Sequence, residues 1–92
     1  MGISVKEAAI LLNIEQEKLV NEGLKAFLER KFRELRAGRL TIYLKYHVSS
    51  LKELDEKISK GVLSETETLE DFSRLDFLES EEEKVKELMS KL

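Results

Sequence analysis

His47 is the only histidine in this chain and cysteine is absent, so carboxylates, amines and hydroxyls must carry whatever chemistry it performs. A lone imidazole cannot build a histidine cluster, and without thiols there is no disulfide, thiolate metal site or cysteine nucleophile. Asp71, Asp76 and Glu79 are the carboxylates nearest to a metal-ligating set, yet neither a ligand-spacing motif nor a neighbouring histidine accompanies them. The run Glu81-Glu82-Glu83 reads as a solvated helix face, and no glycine-rich loop is present to cradle a phosphate. Catalysis needs acid, base or nucleophile groups converging in a concave site. The chain is therefore expected to be non-enzymatic and to need neither metal nor cofactor, with no catalytic residue to name.

Arg30, Lys31, Arg33, Arg36 and Arg39 form the densest basic cluster. Clustered arginine neutralises phosphate, which makes these five the candidate nucleic-acid contacts. Their spacing spreads the charges around a helix, however, and Glu29 and Glu34 dilute them, so pairing with acidic residues of the chain carries more weight. The net charge of −3 hides an asymmetry. Residues 1–50 hold nine Lys or Arg against six Asp or Glu, whereas residues 51–92 hold seven against thirteen. Such halves suit an antiparallel hairpin, a head-to-tail contact between chains, or an acidic tail that meets another partner.

The elements that position these groups read as helices throughout. Ser4 and Glu7 form a capping box before Val5, Ala8, Ala9, Leu11 and Leu12, giving a short helix 5–12 closed by Asn13. A long helix 15–47 follows, with Glu15 and Glu17 complementing its N-terminal dipole. Gly38 is a bend, a point of close helix contact or the end of that helix. Leu40–Val48 has strand-like composition, but Leu35, Ile42 and Tyr46 keep to one face across the glycine, which favours helix. A serine cap at Ser49-Ser50 starts a short helix 50–60 ending at Gly61, and the box Ser64-Glu65-Thr66-Glu67 starts an acidic C-terminal helix 65–92. In that helix Leu69, Phe72, Leu75 and Leu78 fall three apart, so their stripe winds by about 60° per step; the helix either breaks near Asp76–Ser80 or wraps a partner. The expected fold is all-α: a single domain of two long helices and short connecting helices in an elongated hairpin or bundle.

A helix over Ile14–Val48 would be roughly 50 Å long, more than the diameter of about 30 Å of a compact chain of this size. Turning about 100° per residue places Val20, Leu24, Phe27, Leu28, Phe32, Leu35, Ile42, Tyr43 and Tyr46 on one core-facing arc. Leu19, Ala26, Ala37, Leu40 and Leu44 gather on another side, where small residues permit close approach. That second face is the expected seam of a coiled-coil-like homodimer. No stretch approaches the ~20 apolar residues of a membrane span, and Ile10–Leu12 is too short for the core of a secretory signal, so a cytoplasmic protein with no membrane partner is expected. Charged residues make up 38% of the chain, and Asn13, Gln16 and Asn21 are its only side-chain amides, a composition that leans thermophilic.

Several segments resemble prokaryotic toxin–antitoxin components. Ser4-Val5-Lys6-Glu7-Ala8-Ala9-Ile10-Leu11-Leu12-Asn13-Ile14 looks like the opening of a helix-turn-helix, and Leu19–Arg30 looks like the second helix of ribbon-helix-helix repressors. Lys45–Leu54 and Leu69–Leu75 are similar to the tail half of small helical antitoxin-like proteins. The resemblance implies an N-terminal dimerising part and an acidic tail that covers a co-encoded toxin, commonly a ribonuclease. Phe72, Leu75, Phe77 and Leu78 would then anchor the toxin and Arg74 would reach its active site. The expected function is a homodimeric protein-interaction module of this antitoxin-like kind; the alternative is a DNA-binding transcriptional regulator using the basic N-terminal half.

Overall fold

In the computed structural model, which describes residues 2–92, four helices follow one another: α1 (Val5–Leu12), α2 (Gln16–Tyr46), α3 (Leu51–Ser59) and α4 (Glu65–Ser90). No strand occurs among the described residues. The all-α expectation holds, and the molecule is a rod of 61 × 28 × 16 Å with a radius of gyration of 19.2 Å. A compact chain of this length would have a radius near ~12 Å. The shape follows from α2, whose thirty-one residues at about 1.5 Å each span most of the long axis.

Serine caps set three of the four helix starts. Ser4, Ser50 and Ser64 each accept a hydrogen bond from the backbone N–H three residues on, at Glu7, Glu53 and Glu67, satisfying donors the helix leaves unpaired. Asn13 and His47 end α1 and α2 in the left-handed conformation, with φ of 55° and 54°, a state that asparagine and histidine enter more readily than branched residues. Lys57 secures the second of these ends by donating to the carbonyls of Tyr46 and His47, both at 3.1 Å. The strand-like stretch after Gly38 stays helical, and Thr41 bonds its hydroxyl to the Ala37 carbonyl at 2.9 Å, which occupies the group that would compete with the backbone.

α2 and α4 pack side by side as an antiparallel hairpin. From α2, Leu28, Leu35 and Ile42 recur every seven residues; from α4, Leu75, Leu78, Glu82, Val85 and Met89 alternate spacings of three and four. Both patterns keep one seam facing the partner helix, as in a two-stranded coiled coil. α4 is continuous and does not break near Asp76–Ser80. The drift of the three-residue spacing is absorbed instead by leaving Leu69 exposed and letting the three-four pattern begin at Leu75. Gly38 does not end the helix, which runs on to Tyr46. A Cβ there would stand 3.3 Å from a Leu78 methyl, so the glycine lets the helices approach.

The two ends of the rod differ. At one, α3 folds across the hairpin and buries Leu54 completely with Val48 and Leu75, and Leu51, Ile58, Leu63 and Phe72 pack around them. At the other, only α1 lies against α2, burying Ala9. Among the described residues no helix is long and apolar enough to cross a membrane.

Candidate interaction surface

A belt of paired polar groups crosses the hairpin near its middle. Arg39 donates from Nε and Nη2 to the two carboxylate oxygens of Glu82, at 2.6 and 3.2 Å, and its guanidinium lies 5.4 Å from the centre of the Tyr43 ring. The hydrogen bond to Glu82 holds the Arg39 pKa above its ordinary value. Tyr43 donates to Glu79 at 3.3 Å, while the other Glu79 oxygen is buried without a hydrogen-bond partner. Nearer the α3 end, Lys45 and Tyr46 both donate to Oδ2 of Asp71. Lys45 first, then Tyr46, holds the Asp71 carboxyl below the usual carboxylate range. Burial first, then the bond to Asp71, pushes the Tyr46 phenol up.

This belt accounts for much of the expected chemistry. Asp71 and Glu79 are engaged with α2 and Asp76 is exposed; among the described residues no three His, Cys, Asp or Glu side chains gather as a metal ion would require. Glu82 corrects the reading of Glu81-Glu82-Glu83 as a solvated run, because it is only 6% exposed and occupies a seam position otherwise held by apolar side chains. Sequence carried a signal for this in the three-four spacing from Leu75 to Met89, with Glu82 at its centre. The basic cluster is dispersed: Arg39 belongs to the belt, Lys31 is half-buried, Arg30 sits 3.9 Å from Glu34, and Arg33 and Arg36 are exposed.

The expected toxin-binding set also divides. Leu75 and Leu78 are buried members of the hairpin core and cannot anchor a partner as they stand, because α2 already covers them. Phe72 is half-buried against the same core, while Arg74 and Phe77 remain exposed. Of the expected dimer seam, Leu19 is half-buried, and Ala26, Ala37, Leu40 and Leu44 are open, Leu44 at 77% exposure. Arg30 and Arg33 fall on that side of α2 between Ala26 and Ala37, so its apolar surface is interrupted.

A larger apolar surface lies at the end away from α3, and sequence reasoning placed part of it in the core. Val20, Leu24 and Phe27 belong to the core-facing arc, yet they are 48%, 45% and 51% exposed. Val20 and Phe27 stand at the edge of the arc, in line with the exposed Glu34 and Thr41, and Leu24 is left open by register. Arg39 stands opposite Glu82 and Tyr43 opposite Glu79, so α4 runs out as α2 continues towards its N-terminus; Leu92 lines one cleft with Lys18, Asn21 and Lys25. Leu88 and Leu92 are half-exposed beside this overhang, and Ile10, Leu11 and Leu12 of α1 stand out at the same end. At such exposure roughly half or more of each large apolar residue remains in water, and each such side chain is worth roughly 1.5–3 kcal/mol when fully buried. Several together make this end a candidate association surface.

The model of the "Uncharacterized protein MJ0235 family" matches residues 1–92. The chain belongs to the MJ0235 family. A curated relative, "Uncharacterized protein MJ0235" of Methanocaldococcus jannaschii, is 33% identical over 69 residues, covering 75% of this chain and 84% of the relative. No solved structure matches the chain. Family membership thus extends over the hairpin, the α3 end and the apolar end together.

Proposed function

We propose that the protein is a non-enzymatic association module that docks through the apolar end of its hairpin. The observation that carries this reading is the exposure of Val20, Leu24 and Phe27: Leu24 continues the buried stripe of Leu28, Leu35 and Ile42 past the point where α4 ends, and Val20 and Phe27 stand beside it on the flank that carries the exposed Glu34 and Thr41. Three large apolar side chains gathered on one open face of a helix lack a covering surface there. The toxin-capturing role implied by the antitoxin resemblance is one form of this reading, and on α4 it would have to run through Arg74 and Phe77, since Leu75 and Leu78 are enclosed. The DNA-binding alternative gains no support from basic residues that are dispersed and partly paired.

The test is retention on immobilised protein, scored by mass spectrometry for every retained species including the chain itself. Leu24→Glu with Phe27→Glu should abolish specific retention while leaving the helical circular dichroism unchanged. If the doubly substituted protein retains the same set as the unsubstituted one, the apolar end is not the docking surface.

A further inference from the structure

We infer that the occupant of the apolar end is a second copy of this chain, held by an antiparallel crossing of the two α2 helices centred between Gly23 and Leu24. The inference rests on the association reading above and goes further by naming the partner and the register.

Four observations converge on it. Val20, Leu24 and Phe27 are spaced four and three apart, the repeat that keeps a helix seam facing another helix. Val20 and Phe27 stand at equal distances from the midpoint between Gly23 and Leu24, so a two-fold axis there sets Val20 of each copy against Phe27 of the other. A two-fold interface must be self-complementary in this way.

Gly23 supplies the second observation. Glycine costs about 1 kcal/mol relative to alanine inside a helix, and Gly38 has a visible reason in the Leu78 methyl it admits. Within the chain Gly23 has none, because a Cβ there would meet nothing within 4 Å. It lies beside the Val20–Phe27 seam, where a crossing helix would come closest.

Charge is the third. The antiparallel register sets Glu17 of each copy level with Arg30 and Lys31 of the other. A parallel pairing would set Glu17 against Glu17 and Lys31 against Lys31, which repels at both ends.

Area is the fourth. By the turn of each helix, Val20, Leu24 and Phe27 lie on the side of the hairpin where Gly38 meets Leu78, and Leu88 lies on that same side of α4, whereas Leu92 lines the cleft with Lys18, Asn21 and Lys25. These four side chains expose on the order of 100 Å² each, so covering them in both copies removes roughly 800 Å² of apolar surface before the polar rim is counted, close to the ~1,000 Å² of total surface that a biological interface must reach.

The absence of cysteine makes the register directly measurable. Two singly substituted proteins, Val20→Cys and Phe27→Cys, are prepared, mixed and oxidised, and sedimentation equilibrium is run in parallel. The unsubstituted chain should sediment as a dimer at micromolar concentration. Leu24→Glu with Phe27→Glu should make it monomeric, and Leu40→Glu with Leu44→Glu should leave the dimer intact. The mixture should form a Val20→Cys–Phe27→Cys disulfide, whereas each protein alone should form little, because like positions then stand about 10 Å apart along the seam, beyond disulfide reach. A monomeric unsubstituted chain, a dimer that survives the Leu24 and Phe27 substitutions, or cross-linking of each cysteine protein to itself overturns the inference. If the chain is monomeric yet loses capture of a different protein on Leu24→Glu with Phe27→Glu, the association reading stands and only the second copy is removed. If it is monomeric and its capture is unchanged, both fall.

Discussion

Arg39 and Glu82 meet as a two-pronged ion pair across the hairpin, with the carboxylate sunk into a seam position between Leu78 and Val85. The Glu82 side chain is 7% exposed and that of Arg39 23%, so separating them strands a buried carboxylate. Arg39→Met should destabilise the fold by about 2–3 kcal/mol, somewhat below a fully buried pair because the guanidinium still reaches water. Combining Arg39→Met with Glu82→Leu should recover most of the loss, and urea midpoints of the three variants read both effects. If Arg39→Met costs less than Glu82→Leu alone, the buried charge is not what the arginine serves.

Leu75 and Phe77 are neighbours in sequence with opposite surroundings. Leu75→Ala should cost about 2–5 kcal/mol through the cavity it leaves, while Phe77→Ala should change stability by about 0.5 kcal/mol or less. Equal losses in thermal unfolding would place Phe77 in the core as well.

The two helical glycines of α2 should respond in opposite ways. Gly23→Ala, measured at concentrations where the chain is monomeric, should stabilise by about 0.5–1 kcal/mol because it adds helix propensity in open space. Gly38→Ala should gain less or lose, since its Cβ crowds the 3.3 Å approach of Leu78. A larger gain at Gly38 would mean that the hairpin can relax there freely.

The belt contributes to the pH response. Asp71 has its folded pKa depressed by Lys45 and Tyr46, so its contribution is fully present above the unfolded value of 3.8 and is lost as pH falls through the folded value. Tyr46 and Lys45 are raised instead, so their contribution is present below their unfolded values and is lost as pH rises through the folded ones, above about pH 10. Asp71→Asn should remove part of the acid-side decline in a urea-midpoint profile. An unchanged profile would show that Asp71 is as free in the folded chain as in the unfolded.

Helix identity was legible because capping and periodicity act locally. Ser4, Ser50 and Ser64 mark starts, Asn13 marks a stop, and Leu35, Ile42 and Tyr46 hold one face across Gly38. What stayed hidden depends on which residue of α2 faces which of α4. A single helix wheel puts Val20, Leu24 and Phe27 in the core with Leu28; the end of α4 leaves Leu24 uncovered, and Val20 and Phe27 lie on the edge of the arc that α4 does not cover, with Glu34 and Thr41. The same dependence hid Glu82, whose neighbours Glu81 and Glu83 read like it until Arg39 is placed opposite. Leu75 and Leu78 looked free for a partner for want of the same register.

The unequal ends of the rod imply unequal opening. Leu54, Val48 and Leu75 lock the α3 end in one enclosed cluster, whereas Gln16–Phe27 is held chiefly by α1 and its own backbone. Amide hydrogens around Leu75 should therefore exchange only through global unfolding, and those of Gln16–Asn21 through local fraying at much lower free energy. Anything that docks on the loose end slows exchange there first, by mass action on the closed form. Occupancy of the surface would be readable as protection in one segment before any shift in global melting.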